Sequence, residues 1–357
     1  MKKFTFTIVL FAVGFLTALG QLPQGHPDNL NWTPPSDPQS GLRVDPGVYL
    51  QGNFVELGIH PAGSGGIYGT VPAGYHPMLA GLGFVADHDK DGWLVGVPPQ
   101  TGDYFLPGYP WEGWLVEYTY QGNEYTFINC GECGQFEVPQ TSLTNTSAGT
   151  TNSAVWVGTA SGGGQNLLVN QHFYFDENDG RFFIHVTLTN TGPDPLQDVE
   201  YARAVDPDQE QNITGDFSTR NFVSHQPNAG NGYLAEVQSF GLVYDLPMAL
   251  QLWHPNAKAH VIPDLRLDIS TPNEPLDFTN APTEAAPFIA DVGVAVAVRF
   301  PLLNPGQSES FYVIYVLNTE DIINPPPPPG VPLSNWALYL MIGLIVIFTV
   351  IRFRRMG

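Results

Sequence analysis

Residues 167–190, with the sequence LLVNQHFYFDENDGRFFIHVTLTN, decide the fold class of this chain. Apolar residues alternate with polar ones before the tetrapeptide at 177–180 (ENDG) and alternate again after it. Such alternation is typical of a half-buried β-strand, and an Asn-Asp-Gly turn between two alternating runs predicts a β-hairpin. One face of this hairpin carries Phe173 and Ile184 and should face a core.

The register of the hairpin depends on the centre of its loop. A loop centred on Asn178 and Asp179 sets His172 directly opposite His185, on the face away from the core. A turn one residue later would set Tyr174 opposite His185. Both registers keep the apolar face, so the sequence predicts the buried side and leaves the pairs open.

The rest of the central chain repeats this character. Short apolar and aromatic segments recur between Gly, Pro, Asn and Asp clusters, and we find no long stretch with helical periodicity. This pattern predicts an all-β protein with β-sandwich architecture. The candidate strands are Val48 to Ile59, Gly81 to Ala86, Trp114 to Tyr120, Glu124 to Asn129, Ala154 to Thr159, Leu167 to Phe175, Phe182 to Thr189, Val199 to Val205, Gly232 to Tyr244, Val294 to Phe300 and Glu309 to Leu317.

These strands are too many for one immunoglobulin-sized sandwich. Either two packed sandwiches meet near residues 145–155, or one extended sandwich uses all the strands. In the first case, which we favour slightly, domain 1 covers residues 47–150 and domain 2 covers residues 151–320. The segment 187–192 (TLTNTG) and the strand after it resemble the hairpin of bacterial surface immunoglobulin-like repeats, which carries no activity of its own.

The chain is strongly acidic, with 13 Lys+Arg against 34 Asp+Glu and a formal net charge of -21. Five cations lie in the two terminal segments, so the part between them carries 8 cations and 34 acids, or 8 minus 34 = -26. So few cations cannot neutralise a phosphate backbone, which argues against nucleic-acid binding. A saline or calcium-containing habitat would suit such a charge.

The first segment, residues 1–20, has the organisation of a secretory signal peptide. Lys2 and Lys3 precede an apolar stretch, and the small-residue sequence Ala18-Leu19-Gly20 precedes Gln21. This pattern predicts a signal helix with cleavage before Gln21. An N-terminal membrane anchor is the alternative. Residues 21–46 are rich in Pro, Asn and Asp, which predicts an extended lead-in.

The last segment begins with a Pro-rich spacer and a short motif in residues 321–335. Residues 336–357 follow with an apolar run, which predicts a short membrane helix. The basic end after this run is expected to stay on the cytoplasmic side of the membrane, with the body of the protein outside. The motif residues are Val331, Pro332, Leu333, Ser334 and Trp336, and the basic stop consists of Arg352, Arg354 and Arg355.

This order of motif, membrane segment and basic cluster resembles the C-terminal sorting signals of bacterial exosortase-type systems with an Ile-Pro-Thr-Leu-Ser-x-Trp consensus. The Thr between Pro332 and Leu333 is missing here, so an uncleaved tail anchor stays an alternative. The resemblance covers only about the last 27 residues. It implies a membrane transpeptidase as partner and a location at the cell surface or outside the cell, at least transiently anchored through the C-terminal segment.

Two acidic segments are candidate cation sites. Asp87, Asp89 and Asp91 precede Gly92, which matches the opening of a calcium loop but lacks the later acids of an EF-hand. A solvated acidic turn is the alternative. A second group, consisting of Asp206, Asp208 and Glu210, follows the strand that ends at Val205, with a weaker spacing signal.

Cys130 and Cys133 form a Cys-x-x-Cys segment among glycines. Export to an oxidising compartment and the lack of a second Cys pair predict a small structural disulfide, with redox exchange as the alternative. His172 and His185 alone do not supply the three ligands that a metal site needs, so the histidines are interpreted as structural.

Aromatic residues cluster between Trp93 and Tyr120, and among them Trp111 and Trp114 are candidate glycan contacts, with core packing as the alternative. The sequence contains no Gly-x-Ser-x-Gly, His-Glu-x-x-His or phosphate-loop motif. We therefore expect an exported bacterial surface or matrix protein that acts through binding, with an extracellular glycan or an envelope protein as partner. The alternative is a secreted, calcium-assisted carbohydrate-active enzyme.

Overall fold

A computed structural model describes residues 47–77, 81–88, 90–94, 101–105, 112–131, 134–262 and 287–323. Almost all regular structure in these ranges is β-strand, which confirms the all-β prediction. The strands are β1 Val48–Gln51, β2 Val55–Ile59, β3 Ile67–Tyr68, β4 Gly81–Leu82, β5 Phe84–Asp87, β6 Thr101–Asp103, β7 Glu112–Tyr120, β8 Asn123–Cys130, β9 Gln135–Phe136, β10 Gln140–Asn145, β11 Thr151–Gly162, β12 Gln165–Asp176, β13 Arg181–Asn190, β14 Leu196–Val205, β15 Thr219–His225, β16 Leu234–Gly241, β17 Pro247–Trp253, β18 Ala257–Ile262, β19 Phe288–Ala290, β20 Gly293–Leu303 and β21 Ser308–Val316. Two short helices, α1 Gln211–Thr214 and α2 Thr319–Ile323, complete the elements together with a single 3-10 turn at Ala229–Asn231.

Two large antiparallel sheets form the body. The nine-stranded sheet has the order β10-β11-β12-β13-β21-β17-β16-β15-β19, and the six-stranded sheet has the order β18-β20-β14-β7-β8-β9. A four-stranded sheet (β1-β2-β5-β6) and a two-stranded sheet (β3-β4) come from the first part of the described chain.

The two large sheets pack as a β-sandwich around one hydrophobic core. Phe173 and Ile184 enter this core from the nine-stranded sheet, and Val199 and Val298 enter it from the six-stranded sheet. All four side chains are almost completely buried, as alternation along half-buried strands requires. The two sheets are therefore held together by a continuous apolar interior.

The hairpin that indicates the fold forms β12 and β13. Phe173 pairs with Ile184 and His172 pairs with His185, so the register centred on Asn178 and Asp179 is confirmed. The apolar face enters the core, and the two histidines lie on the opposite face.

Some strands differ from the sequence expectation. Residues 48–59, predicted as a single strand, form the β1–β2 hairpin, in which Leu50 pairs with Leu57. The candidate strand at residues 81–86 divides into β4 and β5, which belong to different sheets. The strands that were not predicted are β3, β6, β9, β10, β15, β17, β18 and β19. Strand β17 is buried along nearly its whole length, so it lacks the alternation that marks a half-buried strand.

Strands that lie before and after residue 150 in the sequence pair with each other. Strand β7 pairs with β14, with Val116 opposite Tyr201, and both belong to the six-stranded sheet. The segments proposed as domain 1 and domain 2 therefore contribute strands to the same sheet.

A polar network lies inside the core between the two sheets. The guanidinium of Arg203 on β14 donates to both carboxylate oxygens of Glu112 on β7, at 2.5 and 3.0 Å. Arg203 also donates to Gln171 Oε1 at 2.7 Å, and the hydroxyl of Tyr315 donates to Glu112 at 2.7 Å. The side chains of Arg203 and Glu112 have no solvent exposure. This network connects β7 and β14 of one sheet with β12 and β21 of the other.

Within the described ranges, no helix combines the length and the apolar character that a membrane crossing requires. The predicted signal helix (1–20), the lead-in (21–46) and the predicted C-terminal membrane helix lie outside those ranges.

Candidate functional site

Three aspartates converge where the two large sheets meet. Asp206 and Asp208 follow the end of β14 in the six-stranded sheet, and Asp291 follows β19 at the edge of the nine-stranded sheet. One carboxylate oxygen from each residue lies within 4.8 Å of the others. Two oxygens that bind one Ca²⁺ at about 2.3–2.6 Å lie at most about 5 Å apart, so this spacing fits a shared ion. We call these three residues the Asp triad.

The electrostatics of the Asp triad favour a cation. Asp206 is 6 % exposed and Asp208 is 2 % exposed. Burial, together with the neighbouring carboxylates, raises the pKa of both well above the usual range. Within the described chain, Asp208 Oδ1 is buried without a hydrogen-bond partner. An unpartnered buried carboxylate oxygen is costly, and a bound cation would remove that cost.

Glu210 does not join this cluster, although the sequence analysis grouped it with Asp206 and Asp208. Its carboxylate accepts hydrogen bonds from the backbone N–H groups of Val243, Tyr244 and Leu246, at 2.8, 2.9 and 3.1 Å. Glu210 therefore fixes the turn between β16 and β17. The third acid of the triad is Asp291, which lies far along the chain and follows a different strand.

The predicted calcium loop is only partly described, because Asp89 lies outside the described ranges. Asp87 is 3 % exposed, and its carboxylate accepts from the backbone N–H groups of Asp91, Gly92 and Trp93 at 3.0–3.3 Å. Asp87 thus organises its own loop. The calcium-loop assignment of Asp87, Asp89 and Asp91 stays a prediction.

Trp114 does not present a surface for a glycan. Its side chain is completely buried, packs edge-on against Trp156 at 5.1 Å and donates from Nε1 to the carbonyl of Ala62. Trp114 and Val116 share the core side of β7, whereas Leu115 between them lies on the other face, so the core-packing alternative describes Trp114 correctly. Trp111 lies outside the described ranges.

The remaining sequence-predicted sites are outside the described ranges in whole or in part. Cys130 is buried at the end of β8, whereas Cys133 is not described, so the disulfide stays a prediction. The sorting motif and the basic stop both follow residue 323 and stay predictions as well.

The outer face of the nine-stranded sheet carries a row of rings that the sequence analysis interpreted only as structural histidines. His172, His185, Tyr312 and Trp253 pair in this order across the adjacent strands β12, β13, β21 and β17. We call these four residues the ring row. All four are half-buried, and the rings of His185 and Tyr312 stack at 4.7 Å. Burial lowers the pKa of both histidines, so both imidazoles are neutral at pH 7.

A buried carboxylate lies close to the ring row on the same face. Glu236 on β16 accepts hydrogen bonds from Gln238, Gln251 and the hydroxyl of Ser224. His225 Nδ1 lies 3.2 Å from the same carboxylate, and this contact raises the pKa of His225. Although burial opposes it, these hydrogen bonds lower the pKa of Glu236 and so stabilise its negative charge.

A second pair of carboxyl groups lies on the outer face of the six-stranded sheet. Glu117 on β7 pairs with Glu200 on β14, and Arg299 pairs with Glu200 from the other side. Burial first, and then the neighbouring carboxylates, raise the pKa of Glu117 to about 7 and that of Glu200 to about 8. Both carboxyl groups therefore change their protonation state near neutral pH.

No family model matches the chain. No curated protein matches it either. Several solved structures are similar at low sequence identity. The Slr1438 protein from Synechocystis sp. PCC 6803 has 7% identity and a TM-score of 0.37, and the match covers 76% of this chain and 96% of that chain. A galactose mutarotase related enzyme from Lactobacillus acidophilus has 7% identity and a TM-score of 0.34, with 76% and 97% coverage. An alpha-mannosidase from Enterococcus faecalis V583 has 9% identity and a TM-score of 0.37, with 77% coverage of this chain and 30% of that chain. All three sequence identities are below 10%, and all three TM-scores are below 0.4.

Proposed function

We propose that this chain is an exported bacterial surface or matrix protein that acts by binding and is sorted through its C-terminal signal. The support for export and sorting comes from the sequence: the signal-like residues 1–20 and the Val331–Trp336 motif with its basic stop. The partner for sorting is a membrane transpeptidase. The partner for binding is an extracellular glycan or an envelope protein.

The observation that carries the binding role is the ring row. A row of half-buried aromatic and imidazole rings on the outer face of a sheet offers area and hydrogen-bonding groups to a partner. A sheet face with half-buried rings of this kind can contact an extended ligand. Catalysis would instead require reactive groups that converge around a substrate in a concave site.

We also propose that the Asp triad binds Ca²⁺. Three carboxylates supply the oxygen ligands that this hard cation prefers, and Asp208 contributes a buried oxygen with no hydrogen-bond partner in the described chain. Because the triad joins the end of β14 to the edge of the nine-stranded sheet, the bound ion would stabilise the contact between the two sheets.

Thermal unfolding with and without Ca²⁺ tests this site. Calcium at about 100 times its Kd should stabilise the full chain by about 2.7 kcal/mol, and Mg²⁺ at the same concentration should stabilise it less. Asp208→Asn should abolish the calcium-dependent rise in Tm, whereas the exposed Asp216→Asn should retain it. A rise in Tm that persists in Asp208→Asn would place the calcium elsewhere.

Surface exposure is tested with intact cells of a host that secretes the protein. Added protease should degrade the body, and an internal cytoplasmic marker should survive. If the body is protected until the cells are lysed, the display proposal is wrong.

One observation favours the alternative, a secreted carbohydrate-active enzyme. Glu117 and Glu200 form a neighbouring carboxyl pair whose raised pKa values suit general acid and base roles. If the pair is catalytic, the protein should release reducing ends from a polysaccharide, and Glu117→Gln and Glu200→Gln should each abolish this release. Hydrolysis that both variants lose would favour the enzyme over the binding protein.

A further inference from the structure

The ring row is part of a larger uncharged area on the outer face of the nine-stranded sheet. On one side it is flanked by Asn170, Thr187 and Ser310, which pair with one another across β12, β13 and β21. We call these three residues the polar row. Asn170 and Thr187 are half-buried and Ser310 is exposed.

On the other side of the ring row lie side chains that are mostly apolar. Tyr174, Phe183, Ile314 and Gln251 pair in this order across the same four strands. Phe183 and Ile314 belong to a buried apolar cluster against which Tyr174, Tyr312 and Trp253 pack. Tyr312 and Trp253 of the ring row therefore pack against this cluster, which limits the freedom of their side chains before any ligand arrives.

The dimensions of this area suit an extended ligand. Four adjacent strands are separated by three spacings of about 4.8 Å, so the ring row spans about 14 Å. The polar row runs parallel to it, two residues further along the strands. An extended ligand could therefore contact rings along one side and hydroxyl or amide groups along the other.

The residues of these rows carry no formal charge, although the body of the protein is near -26 (8 minus 34). Two charged side chains border the rows: Glu236, which accepts from Gln251, and Arg181, which lies over the ring of Phe183. The ring row, the polar row and the row that contains Tyr174 include no Asp, Glu, Lys or Arg. Burial keeps the imidazoles of His172 and His185 neutral at pH 7. A polyanion would be repelled by the surrounding acids, and the cation that borders this area, Arg181, is already paired with Asp179. A polycation would be drawn to the acids outside the area.

We propose that the ring row and the polar row form the binding site for a neutral glycan chain. This inference rests on the proposed binding function and names its site and ligand class. A sugar ring presents an apolar C–H face, which packs on Tyr312 and Trp253, and a hydroxyl edge, which exchanges hydrogen bonds with Thr187 and with its neighbours in the polar row. The neutral ligand matches the uncharged area, so binding needs no ion pair.

Titration calorimetry on the full chain tests the site with soluble polysaccharides as probes. The neutral probes are dextran, a mixed-linkage glucan and a galactomannan, and the charged probes are polygalacturonate and chitosan. At least one neutral probe should bind the wild-type protein, and the charged probes should not. Added salt should leave the affinity nearly unchanged, because no charge is neutralised on binding.

Variants assign the binding to this face. Trp253→Ala and Tyr312→Ala should each weaken the affinity at least about tenfold, as expected for aromatic anchor residues. Thr187→Val keeps a strand-forming shape and removes only the hydroxyl, so it should weaken the affinity by a smaller factor. The control is Phe136→Ala, which removes an aromatic side chain that is 38% exposed on β9 of the other sheet and should bind like the wild-type protein.

Three results of the binding measurements would overturn the inference. They are failure of every neutral probe to bind, equal affinity in the ring-row variants and the control, and preference for a charged probe. Dimerisation that Trp253→Ala abolishes would also overturn it, because the face would then be covered by a second copy. Circular dichroism separates lost folding from lost binding. Protease accessibility on intact cells and the calcium-dependent Tm are independent readouts, so the proposed function can survive the failure of this site.

Discussion

The buried network around Arg203 makes a quantitative prediction about what holds the two sheets together. Replacing Arg203 with Met keeps a long apolar stem but removes the guanidinium that binds both oxygens of Glu112 and the side chain of Gln171. Glu112 then keeps the hydroxyl of Tyr315 and the backbone N–H of Gly65 as donors. Its charge would remain in an interior with no solvent exposure.

The magnitude follows from the burial of this pair. Removing one partner of a fully buried ion pair typically costs about 3–5 kcal/mol, because the remaining charge is uncompensated. For a domain of about 150–250 residues, each kcal/mol lowers Tm by about 2–4 °C, so Arg203→Met should lower Tm by about 6–20 °C. The double variant with Glu112→Gln should recover part of this loss, since no buried charge is then left unpaired.

Urea unfolding of the wild type, the two single variants and the double variant gives the coupling free energy. An exposed pair, Arg220 and Asp245 at 2.8 Å, is the matched control, because its side chains are 39% and 70% exposed. Arg220→Met should change the free energy of unfolding by less than about 1 kcal/mol. If Arg203→Met costs no more than this control, the buried network does not stabilise the sandwich and the reasoning is refuted.

Three further predictions concern single positions. Because the pKa values of Glu117 and Glu200 lie near 7 and 8 in the folded state against 4.5 ordinarily, the folded state binds more protons in this window. Their contribution to stability is therefore complete below about pH 4.5 and is lost as pH rises to about 8. Glu200→Gln should flatten this decline in the free energy of unfolding, measured by urea unfolding at several pH values. An unchanged slope of the free energy of unfolding against pH would contradict the assignment. Gly58→Ala should destabilise by about 1–3 kcal/mol, because an added Cβ would lie 2.2 Å from the carbonyl oxygen of Leu82; a wild-type Tm would show that the backbone there adjusts freely. Glu210→Gln should accelerate hydrogen exchange at the three backbone amides that donate hydrogen bonds to its carboxylate. Unchanged protection of these amides would show that the turn between β16 and β17 forms without the carboxylate.

The hairpin shows how much of the fold was predictable. Alternation over residues 167–190 predicts both strands, their buried face and one of two registers, because side-chain direction has a period of two along a strand. Strand β17 gives no such signal, since residues 247–252 are buried on both faces and only Trp253 at its end is half-buried. The pairing of β7 with β14 joins residues that lie far apart in sequence, and no local pattern encodes that choice.

The candidate sites were likewise predictable only where their residues lie close together in the sequence. The sequence pointed to Asp206 and Asp208 because they lie close together after a strand, but Asp291 arrives from a separate strand through tertiary pairing. Trp114 could not be assigned from composition, since an aromatic residue on an alternating strand is buried or exposed according to its face. The ring row was visible only as the His172 and His185 pair, because Tyr312 and Trp253 join it through β21 and β17.

The central claim, an exported protein sorted to the surface, is tested most directly by the intact mass of the protein from envelope and medium fractions of a host that secretes it. The account predicts a mass that lacks residues 1–20 and everything beyond about Val331. A mass that retains both residues 1–20 and residues 336–357 would contradict signal cleavage and sorting alike.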